Sequence, residues 1–539
     1  MEDIIGIDGI CVNAIIGINP EERINEQNLL IDLKIICDTK KSLSVDDINI
    51  CHNYSLITKR IYKYVKNSSF FTIESLANNV LEYIIKEFSL KSAEMTIKKT
   101  EALSKANYPY ITIKRTCDDY IGDVDGIYLG IGSNIGNKYQ YILNCLEKIK
   151  QANIKILRTS NMYLTKPMYV EKGDDFYNCV IKINTKYSPI ELLKVIKDIE
   201  SDMGKNIKDN SKGPRIIDID ILLYNNEIIH TNDLIIPHQS IIERNFVVQP
   251  LLDISDFHHP VTHILFSKYM TNLKPAQKII PIQHDTNKYI IADEPFYMQV
   301  LNATPDSFSG DGILSNNAAE KNIILEKYTK CDIIDIGGES TRPGHDIVKE
   351  DIEIKRIEEI YDDVYKKYPE KLISIDTRKY NVAEYFIKKG CHIINDVSGM
   401  TFDKNMIDLI RLSKIPVIIC NNLSSDNKDD FYDLIRDYEN NGLYKWNIIV
   451  DIGVGINKTF DQTLSIWKNI SVIDTKYTTM LGHSRKKHID KFLDCGLDNN
   501  NLDIATAFLI QKGFQYNIFG SRVHTSQYIE QIKKIWYII

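Results

Sequence analysis

KLISIDTRKYNVAEYFIKKGCHIINDV, residues 371–397, sets two short apolar runs around a segment of helical period. Runs of this kind, separated by one helix, read as neighbouring parallel strands buried on both faces. The same rhythm recurs on either side. FYMQVLN, CDIIDIGG, KLISIDT, CHIINDV, IPVIIC, WNIIVDIG, YTTMLGH and NIFGSRVH are each followed by a helix-period segment, such as IEIKRIEEIYDDVYKKY after the second. Eight such units in about 250 residues predict a TIM barrel. In that architecture the active site lies at the C-terminal ends of the strands, so the polar residues there carry information. They are Asn302, Thr341, Arg342, Asp376, Asn395, Asp396, Asp451, Ser484, Arg485, Lys486, Arg522 and His524. Singly, each reads best as a capped turn or a surface charge. Together, with basic groups after strands seven and eight, they point to a phosphate pocket.

The barrel accounts for less than half of the chain. At 539 residues, a length prior gives about three or four domains. Composition is globular, with 43% hydrophobic and 26% charged residues, and the formal net charge is −7. No long basic block is present, which argues against nucleic acid or an anionic membrane as partner. The apolar runs are too short to span a bilayer. MEDIIGIDG, at the N-terminus, lacks the basic segment of a signal peptide. The ten cysteines include no C-x-x-C pair, so neither a disulfide frame nor a zinc site is expected, and a reducing, cytoplasmic setting is.

Upstream, residues 1–118 group strands and helices as an α+β unit, with helical runs at 55–66 and 73–88. A polar linker follows. Residues 125–255 form a second mixed unit, 256–290 read as a connector, and the barrel takes 291–539. In the second unit GPRIIDIDILLY, residues 213–224, places Asp218 and Asp220 on one face of an apolar strand, roughly 7 Å apart. Two like charges there are costly unless something positive offsets them. A hard divalent cation would do so; an edge strand with two solvated carboxylates is the plain alternative.

LNATPDSFSGDG, GGESTRPG, SIDTR, INDVSG, GHSRK and RVH resemble dihydropteroate synthase over roughly residues 290–539. The resemblance implies that p-aminobenzoate displaces diphosphate from a hydroxymethyl-dihydropterin diphosphate. It casts Asp376, Asn395, Asp451 and Lys486 as pterin contacts, and Asn302 as an Mg²⁺ contact. Arg522 and His524 become diphosphate contacts, and Thr341 and Arg342 sit in a loop near p-aminobenzoate. Two stretches depart from the family pattern. DIGVGINKT, residues 451–459, stands where Asp-Pro-Gly-x-Gly-Phe-Gly-Lys is usual, and CNN, residues 420–422, where Met-His is usual. Gly-Thr is also missing after SRK.

YLGIGSNIGN, TKPMYV, FYNCVI, GPRIIDIDILLY and PHQSIIERNF resemble 6-hydroxymethyl-7,8-dihydropterin pyrophosphokinase, a ferredoxin-like α+β fold, over about 125–255. On that resemblance Asp218 and Asp220 hold two Mg²⁺ ions on the phosphates of ATP, a substrate here. Arg215, His238 and Arg244 grip phosphates, and Glu200 lies in the nucleotide site. Asn178 reads the pterin edge and Phe246 stacks on the ring. Lys205 replaces a usual Arg, which exchanges a guanidinium fork for a single ammonium.

GINPEER, HNYSL, TIESLANNV and TIKKTEAL resemble dihydroneopterin aldolase, an α+β tunnelling fold, over about 1–115. The resemblance makes Glu74 the pterin anchor and gives Lys99, Glu22 and Tyr54 the protons of a retro-aldol cleavage. It implies no metal or other cofactor for this unit. It also implies a homo-oligomer, because relatives build this site between subunits.

The three resemblances are consecutive steps of folate synthesis, in chain order. The expectation is a trifunctional enzyme acting on dihydroneopterin, ATP and p-aminobenzoate. Two other readings are an aldolase/pyrophosphokinase with a degenerate barrel and a pterin-binding scaffold without catalysis.

Overall fold

The computed structural model describes residues 3–37, 53–88, 90–103, 105–117, 124–168, 173–204, 215–283, 285, 288–304, 323–339, 347–423, 428–468, 470, 476–493, 498–526 and 528–538. Thr341, Arg342 and Lys205 lie outside them.

The first unit is a five-stranded sheet in the order Ser69–Phe70, Asp3–Ile16, Gln27–Cys37, Ser92–Lys99, Tyr110–Thr116. Alternation along these strands puts Val12, Ile31, Leu33, Ile35, Met95 and Ile97 on one face. Helices Tyr54–Lys66 and Ile73–Phe88 cover that face with Ile57, Ile61, Val80, Leu81 and Ile84.

The second unit is a sheet whose main path runs Asp218–Tyr224, Ile127–Ser133, Phe176–Asn184, Met162–Thr165, Gln277–Pro281, Tyr289–Ile291. Helices Lys138–Gln151 and Pro189–Asp202 pack on the face that carries Leu129, Ile131, Ile181 and Ile219. Helix Asn245–Ile254 packs on one end of the other face, against Tyr128, Val180 and Leu222.

Residues 256–290, read from sequence as a connector, contain the last two strands of this sheet. Gln277–Ile279 pair with Met162–Leu164, and Ile279–Pro281 pair with Tyr289–Ile291. Ile280, Ile282, Ile290 and Ala292 of the same hairpin also join Phe296, Met298, Ile333, Leu372, Ile393, Ile418, Ile449 and Met480 in one apolar cluster. These last eight belong to the barrel strands, so the hairpin closes the barrel's N-terminal end.

The third unit is a closed eight-stranded parallel barrel: Phe296–Asn302, Ile333–Gly337, Leu372–Asp376, Ile393–Asp396, Val417–Cys420, Ile448–Asp451, Thr478–Leu481 and Gly520–Val523. Each strand lies inside a run picked out by sequence, and the helix after the second spans Glu350–Lys367. No described helix is long and apolar enough to cross a membrane.

The barrel and the second unit share a core. Tyr444 and Trp446, on the short turn before barrel strand six, lie in the apolar cluster of the second unit. Trp446 Nε1 donates to Tyr139 Oη at 3.2 Å, and Tyr139 Oη donates to Asn447 Oδ1 at 3.1 Å. Lys445 Nζ reaches the carbonyl of Asp253 at 2.9 Å, and Asn161 Nδ2 reaches that of Lys476 at 2.8 Å.

Candidate active sites

In the first unit the end of strand Ser92–Lys99 meets the turn Pro20–Arg23. Lys99, only 8% exposed, ion-pairs with Glu22 Oε1. The ammonium of Lys99, with the Asn19 backbone N–H, holds the Glu22 carboxyl below its ordinary range. Tyr54 and Glu74 open their helices at the surface; Tyr54 is 63% exposed, and Glu74 is exposed as well. Glu22 and Lys99 are therefore brought together, while Tyr54 and Glu74 face solvent.

In the second unit the end of the sheet beyond helix Asn245–Ile254 carries a row of level residues. Asp218 pairs with Gly132, and Gly132 with Asn178, so all three side-chain directions share one face. Gly132 keeps the row passable: a Cβ there would stand 2.8 Å from Asn178 Oδ1. Asn178 is buried and donates from Nδ2 to Thr165 Oγ1 at 2.8 Å. Asp218 ion-pairs with Arg215. Asp220, next along the same face, has Arg244 Nη1 at 3.7 Å and His238 Nε2 at 3.9 Å. Burial raises the Asp220 carboxyl, and the Asp218 charge raises it further. Burial lowers the His238 imidazole, against the pull of Asp220. Phe246 begins the covering helix, its ring 5.7 Å from the Arg244 guanidinium carbon.

Glu200, on helix Pro189–Asp202, lies behind the strand that carries the two aspartates. It is 1% exposed, and its Oε1 accepts the N–H of Ile219 at 2.8 Å. Ile219 lies between the two aspartates on an edge strand, so Glu200 caps a backbone donor the sheet leaves open. Asn134 was not singled out by sequence. Its Oδ1 accepts Arg215 N–H at 2.7 Å, and its own N–H donates to Arg215 O at 3.1 Å. That two-way clasp fixes the backbone from which Arg215 reaches Asp218.

In the barrel, register sets Asn302, Gly337, Asp376 and Asn395 level across strands one to four. Arg522 reaches up from strand eight, with Nε at 2.8 Å from Asp335 Oδ2 and Nη2 at 2.6 Å from Asp376 Oδ2. Asn395 Nδ2 donates to the same Asp335 oxygen at 3.0 Å. Asp335 is fully buried and ties two predicted residues together. Sequence reading passed over it, although a carboxylate inside the apolar run IIDIG was the available signal. Burial lifts the Asp376 carboxyl to about 7, even with Arg522 opposing it. Asp396 is likewise raised by burial, to about 6, and accepts from Ser398 Oγ at 2.6 Å.

On the other side of the barrel mouth, Asp451 Oδ1 accepts Gly453 N–H at 3.0 Å and Gly482 N–H at 3.3 Å. Burial lowers the Lys486 ammonium to about 8, and it donates to Val454 O at 2.6 Å. His524 Nδ1 lies 3.1 Å from Ser484 Oγ. Arg485 is turned to Asp503, at 2.8 Å. Asn302 is half-buried at its strand end. Among the described residues, no group of three or more His, Cys, Asp or Glu side chains is placed to hold a metal ion.

Comparison with known proteins matches each unit to a family. Residues 5–114 match dihydroneopterin aldolase. Residues 128–256 match 7,8-dihydro-6-hydroxymethylpterin-pyrophosphokinase. Residues 298–524 match the pterin binding enzymes. The folic acid synthesis protein fol1 of Pneumocystis carinii is 36% identical over 530 residues, covering 90% of this chain and 71% of that protein. Its counterpart in Dictyostelium discoideum is 36% identical over 448 residues, 74% of this chain and 67% of that one. The Plasmodium falciparum HPPK-DHPS crystal structure with pteroate superposes with a TM-score of 0.59 at 20% identity. It spans 76% of this chain and 95% of its own length, a likeness of fold. The chain thus belongs to the family of trifunctional folic acid synthesis proteins, with its aldolase, pyrophosphokinase and dihydropteroate synthase units in that order.

Proposed function

We propose that the three clusters described above are the three active sites. The chain cleaves dihydroneopterin to 6-hydroxymethyl-7,8-dihydropterin and glycolaldehyde. It transfers a diphosphoryl group from ATP to the hydroxymethyl oxygen, and condenses the product with p-aminobenzoate to 7,8-dihydropteroate.

In the aldolase unit the Lys99–Glu22 pair is positioned to take and return protons as the side-chain carbon bond breaks. Tyr54 and Glu74, exposed on the single chain, would complete this site in an oligomer. Covering the exposed rings of Phe71 (63%) and Tyr110 (64%) would favour such an oligomer.

The pyrophosphokinase reading rests most on the row Asp218, Gly132, Asn178. It sets an anion-rich pair beside an amide on one face of the sheet. Arg215, Arg244 and His238 are the groups to grip the ATP phosphates; Asn178 and Phe246 would hold the pterin. The donor set fits Mg²⁺: two carboxylates, with Asp220 raised by burial and by its neighbour, favour a hard cation that keeps waters and phosphate oxygens as further ligands. Mg²⁺ bound there would neutralise charge on the transferring group. Glu200 supports this site from beneath, through Ile219.

In the synthase the amine of p-aminobenzoate attacks the pterin methylene and diphosphate leaves. Asp376, Asn395, Asp451 and Lys486 would bind the pterin. Arg522 and His524 would meet the negative charge that develops on the leaving group. Thr341 and Arg342 keep their sequence-based role near p-aminobenzoate as a proposal. Asn302 offers one neutral oxygen toward Mg²⁺, which diphosphate oxygens would have to complete. The test is the purified chain with dihydroneopterin, ATP, Mg²⁺ and p-aminobenzoate, each product followed in time. Glycolaldehyde, AMP and dihydropteroate should all appear; absence of one removes the corresponding assignment.

A further inference from the structure

The two stretches in which the barrel departs from its family touch each other. CNN follows strand five and DIGVGINKT follows strand six. Asn457 Nδ2 donates to Asn422 Oδ1 at 2.5 Å. Lys458 Nζ donates to Asn421 O at 2.6 Å and to Ile456 O at 3.3 Å. Asn421 N–H in turn donates to Asp451 O at 2.8 Å. The backbones pass so closely that a Cβ on Gly453, at φ +68°, would stand 2.0 Å from Asn421 O. Asn457 itself has φ +47°, a left-handed conformation that asparagine tolerates better than most residues.

The clasped loop bears directly on the pterin-facing groups. Val454 O receives the Lys486 ammonium, and Gly453 N–H donates to Asp451 Oδ1. A shift of residues 453–458 would therefore move the partners of both Lys486 and Asp451. A charge-assisted bond from Lys458 and a short amide–amide bond from Asn457 oppose that shift.

We propose that Asn422, Asn457 and Lys458 form a clamp between the loops after barrel strands five and six, and that this clamp positions Lys486 and Asp451 for the pterin. They are positioning residues: Asn422 and Asn457 belong to the two departures, and Lys458 stands where the family usually has Lys. The inference rests on the synthase reading above and deepens it.

The test uses the full-length chain with Asn422→Ala, Asn457→Gly, the double variant, Lys458→Met and Lys458→Arg. Glycine accepts a positive φ, so Asn457→Gly removes the side chain without straining the backbone. Pterin diphosphate is titrated calorimetrically, and synthase kinetics and melting are measured alongside. Each single asparagine variant should weaken pterin diphosphate binding and raise its KM by about tenfold, with kcat within about twofold. The double variant should be no worse than the weaker single one, because both remove the same bond. Lys458→Arg should restore most of what Lys458→Met loses, since a guanidinium can also donate to the carbonyls. Pyrophosphokinase activity should stay constant and melting should move by less than about 2 °C.

Multiplying effects in the double variant, or unchanged binding in the singles, would overturn the clamp. So would loss of stability in step with loss of binding. Binding without turnover by the unaltered chain would overturn the synthase reading while the variants still decide the clamp. No binding by the unaltered chain would overturn both.

Discussion

The pyrophosphokinase and the barrel are joined very differently from the aldolase and the pyrophosphokinase. At the first junction a barrel tryptophan lies in the kinase core, and buried side chains bond across the seam at Tyr139, Asn447, Lys445 and Asn161. At the second, the described contact is a surface hydrogen bond from Lys268 Nζ to Glu87 O at 2.9 Å. No apolar cluster among the described residues spans it. Buried apolar area and satisfied polar groups couple two units thermodynamically; a surface bond does not. Two units of this chain should therefore behave as one cooperative body and the third as a tethered one.

The sharpest way to break that comparison is catalytic. Asp218→Asn with Asp220→Asn should lower diphosphoryl transfer by about a thousandfold or more, because asparagine keeps the shape but not the charge. Aldolase and synthase rates should stay near normal when each is supplied with its own substrate. Melting of the metal-free protein should change little, since relief of the Asp218–Asp220 repulsion is set against loss of partners for Arg215 and Arg244. Near-normal transfer, read as AMP release, would sink the two-carboxylate assignment.

Trp446→Ala tests the shared core. Emptying a fully buried indole site costs about 3–5 kcal/mol. Calorimetry on the full chain should show one transition, that of kinase and barrel together, moving down while the aldolase transition stays. Separate kinase and barrel transitions would refute the single body.

Lys99→Ala addresses the tethered unit. Glycolaldehyde release should fall by about a hundredfold or more, with transfer from ATP unchanged. A parallel loss of kinase activity would mean that the aldolase is coupled after all.

The smallest effect expected is at Lys486. Its folded pKa, about 8, lies below the ordinary lysine value of 10.5. Between these values the unfolded chain binds the proton more firmly, so this group's contribution to stability rises with pH across that window. Below it, the fold bears the full cost of a desolvated ammonium. Lys486→Met should raise the ligand-free melting temperature near neutral pH, with the gain shrinking as pH climbs through the window. A gain that grows with pH would show that the side chain is not desolvated as described.

Sequence carried the barrel well because each strand is a local apolar run, and period alone marks it. It brought Asp218, Asp220 and Arg244 into one neighbourhood, and Lys99 beside Glu22, because motifs of fixed spacing hold them. It passed over Asp335, whose partners Arg522 and Asn395 come from strands far along the chain. It missed Trp446 as a kinase core residue for the same reason: nothing near residue 446 refers to Tyr139. It did not reveal that Glu200 caps the N–H of Ile219 on an edge strand, since a helix position does not show which backbone donor lies opposite. The stretch 277–291 read as a connector because two short strands with mixed polarity carry little periodic signal.

That hairpin has a consequence for how such a gene can be divided. One side of it extends the kinase sheet through Met162–Leu164, and its isoleucines floor the barrel. A break on its N-terminal side strips the kinase of two strands and bares an edge at Met162–Thr165. A break on its C-terminal side leaves the barrel bottom open to water. Neither fragment could be freely exchanged or separately inherited without new residues to cover what the cut exposes, whereas the aldolase could be gained or shed at its linker with little repair.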